Sequence, residues 1–164
     1  MSRTTPADFI AVRDSCERAA AELLGRILFE FSRLDMALGL CVAWTDQGRN
    51  IDDLTIQVRG WSFYDRLDYL RRFLTRTREN SAEDRKAYEA WIADADVSRQ
   101  LRNEMVHGRW GIDATGSKVI NVVGLPTSSL QSERSYSIRE LKAFVDSLKV
   151  LQQRLSELRD LHPL

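Results

Sequence analysis

Val97-Ser98-Arg99-Gln100-Leu101-Arg102-Asn103-Glu104-Met105-Val106-His107-Gly108-Arg109-Trp110 is the stretch on which the fold turns, because one hydrophobic period ends inside it and another begins. Before His107, the apolar residues Val97, Leu101 and Met105 recur every four positions, the spacing of a helical face. Gly108 marks the stop, in the left-handed C′ position that glycine adopts most easily. After it, Arg109–Asp113 and Lys118–Val123, joined by Ala114-Thr115-Gly116-Ser117, have the pattern of a β-hairpin. Asn103 and His107 are i,i+4 neighbours, with Arg99 one turn earlier. At 100° per residue their row stands about 160° from the Val97 row, so a core-facing Leu101 and Met105 turn Asn103 and His107 outward. Arg102 falls between the rows, and its long side chain reaches toward either.

Working upstream, Ser81-Ala82-Glu83-Asp84 is a capping box in its acidic variant and opens the helix that ends at His107. A second helix fits residues 62–78, with Phe63, Leu67, Leu70 and Leu74 on one face and Arg66, Arg71, Arg72, Arg76 and Arg78 on the other. The segment from Ile51 to Trp61 is ambiguous between loop and short turn. The first helical region starts at Thr5-Pro6-Ala7-Asp8, an N-cap with Pro at the first helical position, and ends near Trp44. Its stripe is Ala20, Leu24, Ile27, Phe31, Leu34, Leu38 and Cys41, with Glu22, Arg26 and Glu30 off it as alternating charges. Whether this helix is unbroken from Pro6 or bends near Cys16 is left open. Downstream, Gly124–Tyr136 reads as a polar, Ser-rich loop. Ser137-Ile138-Arg139-Glu140 then caps a last helix whose stripe is Ile138, Leu141, Val145, Leu148, Leu151, Leu155 and Leu158.

Helices of this length, each apolar on one side, bury one another most economically as a bundle. The expectation is an all-α, up-and-down bundle of four main helices, a single domain over residues 1–164, with a small β-hairpin insertion near residues 109–123. The chain has 164 residues, 43% hydrophobic and 29% charged, which suits a globular domain. Lys+Arg and Asp+Glu are equal at 24 each, so no net field draws it to nucleic acid or membrane, and an RNA-binding claim must rest on a local site. No stretch is apolar enough to span a bilayer and the N-terminus lacks a signal-peptide pattern, which makes the cytoplasm the default address. Cys16 and Cys41 are too far apart on one helix to bridge, and no Cys/His cluster offers a metal site.

Arg102, Asn103 and His107 carry the chemistry. Histidine exchanges protons near neutral pH, arginine offers a permanent fork of donors to phosphate oxygens, and asparagine orients an imidazole or a ribose hydroxyl. Together they suffice for metal-free RNA cleavage in which a 2′-OH attacks the adjacent phosphate. Arg99 and Arg109 flank them as candidate substrate-binding cations. Such a reaction profits from two proton-transfer groups, yet the chain has two histidines and one, His162, stands near its end. A two-fold homodimer that pairs two copies of His107 supplies them. The bland alternative is a helix stop, with His107 near the last carbonyls and Gly108 beyond. Likewise, the arginines of residues 62–78 are read as a solvated face paired with Asp65, Asp68 and Glu79. Trp61, Trp91 and Trp110 are read as packing residues rather than base-stacking platforms. Asp35 either orients Arg102 or His107 or pairs on the surface.

Arg102-Asn103 through His107, followed by Gly108 and Trp110, resembles the Arg-x4-6-His signature of the HEPN superfamily. Phe31-Ser32-Arg33-Leu34-Asp35 is similar to members with an acidic residue at that place. The resemblance implies an all-helical bundle covering nearly the whole chain, with the hairpin as an insertion. It also implies a metal-independent ribonuclease without cofactors, dimeric, with Arg102, Asn103 and His107 in a shared cleft. Many such proteins act in toxin–antitoxin or antiphage systems, which would add RNA and a cognate antitoxin or regulatory protein as partners. Some members have lost catalysis and serve as binding or scaffold modules, and that is the alternative reading.

Overall fold

Thr5, Ser62, Ser81 and Ser137 each begin a helix by the same reciprocal device. The side-chain oxygen accepts the backbone N–H three residues on, at 3.1–3.2 Å, while the carboxylate there accepts the cap's own N–H at 2.7–3.1 Å. The carboxylates are Asp8, Asp65, Asp84 and Glu140. In a computed structural model describing residues 5–77 and 81–164, the helices are α1 (Pro6–Ala43), α2 (Ile51–Val58), α3 (Phe63–Arg76), α4 (Ala82–His107) and α5 (Ile138–Leu161). Strands β1 (Arg109–Ile112), β2 (Val119–Val123) and β3 (Ser132–Tyr136) form one antiparallel sheet in that order. The protein is thus mainly helical with a small sheet. Arg78, Glu79 and Met1–Thr4 lie outside the described residues.

α1 is assigned as one helix of 38 residues, and its expected stripe is buried except for the half-buried Leu24. Two expectations need correction here. The Ile51–Trp61 segment contains a helix, α2, that buries Leu54 and Val58. The Gly124–Tyr136 loop contains β3, so the hairpin is part of a three-stranded sheet. β3 buries only Tyr136, and a solvated strand needs no apolar alternation to pair through its backbone. Glu30, read with Glu22 and Arg26 as a row of alternating charges off the apolar stripe, is buried. It accepts from Arg33 at 2.7 Å and from the Gln152 amide at 3.0 Å.

The residues fall into two compact units, Met1–Phe29 with Leu101–Ser147 and Glu30–Gln100 with Leu148–Leu164. In the first, Ala20, Ile27, Met105, Val119, Tyr136, Leu141 and Val145 are buried. Asp113 closes the β1–β2 turn by accepting the N–H groups of Ser117 and Lys118 at 2.9 and 3.1 Å. In the second unit the core includes Leu34, Leu38, Leu67, Leu70, Leu74, Trp91, Leu148 and Leu155. The indole of Trp91 donates to the Leu151 carbonyl at 2.9 Å, and Tyr88 donates to the His162 carbonyl at 2.9 Å. Arg66, expected on a solvated face, is instead 13% exposed along its side chain. It donates to the Asp35 carboxylate at 2.6 Å and to the Val58 carbonyl at 3.1 Å. Burial pushes the Cys41 thiol up to about 12, so it behaves as a small hydrophobe.

The cap carboxyls titrate below their ordinary range because the caps hydrogen-bond to the charged form. The largest cause is the backbone N–H of Thr5 at Asp8 and of Ser137 at Glu140, and the hydroxyl of Ser62 at Asp65 and of Ser81 at Asp84. A group with a lower pKa folded than unfolded stabilises the fold above the unfolded value, about 4, and that contribution disappears as pH falls through the folded value. Urea midpoints are therefore expected to fall steeply once pH drops below about 4. Ser62→Ala combined with Asp65→Asn should make that decline shallower. An unchanged slope in the double variant would contradict this role for the caps.

Candidate functional site

The last carbonyls of a helix have no intrahelical donors and must find partners elsewhere. At the end of α4 one more helical bond and two side chains of the sheet supply them. Gly108 N–H donates to the Glu104 carbonyl at 2.9 Å, and the Trp110 indole N–H donates to the Met105 carbonyl at 2.9 Å. Asn121, on β2 opposite Trp110, is 2% exposed. Its neighbours fix its amide orientation: the nitrogen donates to the Glu104 carbonyl at 3.2 Å and the oxygen accepts from Trp110 Nε1 at 3.2 Å. Trp110 also packs on Tyr136, with ring centroids 5.7 Å apart. Glu104 pairs with Arg134 of β3 at 2.9 Å, a third side-chain tie between α4 and the sheet.

This cap changes the meaning of Gly108. The positive-φ glycines are Gly48, Gly116 and Gly124, so Gly108 does not take the left-handed position expected for it. A Cβ built at Gly108 would overlap the Asn121 amide, so the requirement is closeness, not backbone hand. Sequence reading missed Asn121. Its signal is a lone polar residue within Val119-Ile120-Asn121-Val122-Val123.

The core face of α4 also needs correction. Val97 is 65% exposed, whereas Tyr88, Trp91, Ile92, Ala95, Ser98 and Met105 are buried. A strict i,i+4 row drifts about 40° per step, while steps that alternate between three and four stay aligned. Position 102 continues the alternating series, and Arg102 is accordingly half-buried with its Nε shielded from solvent. His107 is exposed, as expected of it, whereas Asn103 is only half-buried. These two, about 40° apart around the helix, share a face. Arg102 leaves the helix about 140° from His107, so the three motif side chains do not converge on one face.

The flanking candidates divide. Arg99 donates to Asp96 at 2.7 Å and stands 5.4 Å from the Tyr64 ring centroid, so it is engaged in local contacts. Arg109 is exposed on β1. Asp35 is committed to Arg66, which is the pairing alternative. Among the described residues, the His107 imidazole takes no hydrogen bond or ion pair, whereas His162 places Nδ1 2.6 Å from the Asp84 carboxylate. His107 is therefore an exposed imidazole available to an incoming ligand. Among the described residues, no group of three or more His, Cys, Asp and Glu is arranged to hold a metal ion, and no helix is long and apolar enough to cross a membrane.

No family model, curated protein or solved structure matches the chain.

Gly108→Ala should destabilise the fold by about 1–3 kcal/mol, because the new methyl displaces a buried amide from its partners. Asn121→Ala loses the cap but opens the space, so the double variant should be clearly less destabilised than the two single costs summed. Denaturant unfolding of the full cycle measures the coupling. Strict additivity would show that Asn121 and Gly108 do not meet as described.

Proposed function

We propose that the chain is a metal-independent endoribonuclease of the HEPN type, acting as a homodimer in the cytoplasm, with a toxin or antiphage-defence role. The observation that carries this reading is a subtraction. Gly108 and Trp110 of the Arg102–Trp110 motif serve the α4 cap, while Asn103 and His107 have no part in that hydrogen bonding. The helix-stop explanation therefore accounts for the glycine and tryptophan but leaves half-buried Asn103 and exposed His107 unexplained.

On this reading His107 takes the proton from a ribose 2′-OH as its oxygen bonds to the adjacent phosphorus. The P–O5′ bond breaks, the 5′-oxygen receives a proton, and the products are a 2′,3′-cyclic phosphate and a 5′-OH. His107 of a second copy supplies that proton, since His162 in each chain is engaged with Asp84. Asn103 orients the imidazole or the hydroxyl. Exposed Arg109 holds a neighbouring phosphate, and Arg102 stabilises the phosphorane only if its long side chain swings from its half-buried row, about 140° around the helix, toward His107. Val106, 46% exposed beside His107, gives the partner copy an apolar contact. The long helices are taken to form an up-and-down bundle that presents this face.

Induced wild type should arrest growth and fragment total RNA on a gel, while His107→Ala at equal soluble expression should do neither. The substitution should change unfolding free energy by less than about 0.5 kcal/mol, as for a surface residue, while lowering cleavage at least about 100-fold, as for loss of a general acid–base. Intact RNA and harmless growth with both proteins would favour the non-catalytic binding module.

A further inference from the structure

Helix α3 has two working faces. One buries Phe63, Leu67, Leu70 and Leu74. The other, about 140° away around the helix, carries Tyr69, Arg72, Phe73 and Arg76 at i, i+3, i+4 and i+7. These four residues, with Gln57 of α2 and Trp61 from the α2–α3 connection, line a cleft of about 270 Å³ within the second unit. Trp61, Tyr69 and Phe73 are all half-buried, too open to be fully packed core. Trp61 and Tyr69 have ring centroids 5.2 Å apart, and Tyr69 stacks on Phe73 at 6.4 Å with an 18° interplanar angle.

The cleft is preorganised. Thr45 donates its proton to the Val42 carbonyl at 2.8 Å, which leaves the Tyr69 hydroxyl to donate to Thr45 Oγ1 at 3.3 Å and fixes the ring. Backbone bonds from Gly60 to Gln57 and from Trp61 to Val58, at 3.0 and 3.1 Å, hold Trp61 against the end of α2. Trp91 and Trp110 donate their indole N–H groups to carbonyls, but among the described residues the indole N–H of Trp61 has no partner. Cations stand at the rim. Arg72 reaches Asp68 at 2.7 Å yet remains 59% exposed along its side chain, and Arg76 ends the helix in the open.

We propose that this cleft binds an unstacked nucleobase against the Trp61–Tyr69–Phe73 rings, with the attached phosphate held by Arg72 and Arg76. The rings offer a sequence-tolerant stacking surface, and the arginines offer forked donors to phosphate oxygens. The cleft lies at the small end of ligand sites, about 300 Å³, which suits one base and not an extended molecule. A base within a single strand and a free mononucleotide share this chemistry. The spaced pair of arginines favours the strand, whose successive phosphates follow the helix face. The proposal is independent of the His107 reading, because single-stranded DNA has the base and phosphate but not the 2′-OH that the cleavage needs.

The test is fluorescence anisotropy of a short fluorescein-labelled oligodeoxythymidylate with the full chain, competed by thymidine 5′-monophosphate. Binding is expected to weaken with salt, to fall roughly tenfold or more in Trp61→Ala, and to survive in Trp61→Phe, which keeps a stacking ring. Arg72→Ala combined with Arg76→Ala should weaken binding and flatten its salt dependence. Poor competition by the mononucleotide identifies a strand as the ligand. Tight mononucleotide binding lost in Trp61→Ala upholds the same site with a free nucleotide in it. No binding of either probe by the wild type, or unchanged binding in both the Trp61→Ala and double-arginine variants with native melting, overturns the proposal.

Discussion

The close approach of the Asn121 amide to Gly108 is the constraint on which the organisation around the motif depends. Without a Cβ at position 108, the β2 strand comes near enough to donate to the Glu104 carbonyl, while Trp110 donates to Met105 from β1. These are charge-neutral hydrogen bonds: Asn121 gives the Glu104 carbonyl a second donor beside the Gly108 N–H, and Trp110 meets the Met105 carbonyl, which would be costly to leave unmet. They fix where α4 stops and where β1 begins. His107, the last residue of α4, is thereby held at a defined position without any use of its own imidazole. A side chain that is positioned by others, and that stabilises nothing visible itself, is well placed to act on a ligand.

The long stripes of α1 and α5 were legible because their spacings mix steps of three and four, which follows the true helical period over many turns. The helix starts were legible for a similarly local reason, since each capping box lies within four consecutive residues. α4 was harder. Its row of Val97, Leu101 and Met105 looked regular but drifts around the axis, and the bulky Tyr88 and Trp91 define the buried side instead. β3 left no signal because four of its five residues are exposed. Of the candidate site, the outward turn of His107 followed from helix geometry alone. The inward placement of Arg102, the engagement of Arg99 by Asp96 and the role of Asn121 are tertiary facts that spacing does not encode.

Equal numbers of acidic and basic residues conceal different uses of arginine. Arg66 is a half-buried tie from α3 to Asp35 and Val58, Arg99 lies against Asp96 and Tyr64, and Arg134 joins β3 to Glu104. Arg76 and Arg109 are left in the open, one beside a half-open aromatic cleft and the other just beyond an exposed histidine. A neutral total therefore says little about nucleic-acid contact, which depends on which cations remain unengaged and what surrounds them.

The measurement that bears most directly on the central claim is mass-spectrometric analysis of the ends left on a defined RNA by purified protein in EDTA. Fragments ending in 2′,3′-cyclic phosphate and beginning with 5′-OH, produced by wild type and not by folded His107→Ala, are the expected result. Cleavage by His107→Ala at the wild-type rate, or no cleavage of varied RNAs by a folded wild-type dimer, would contradict the assignment of His107 as the proton-transfer group.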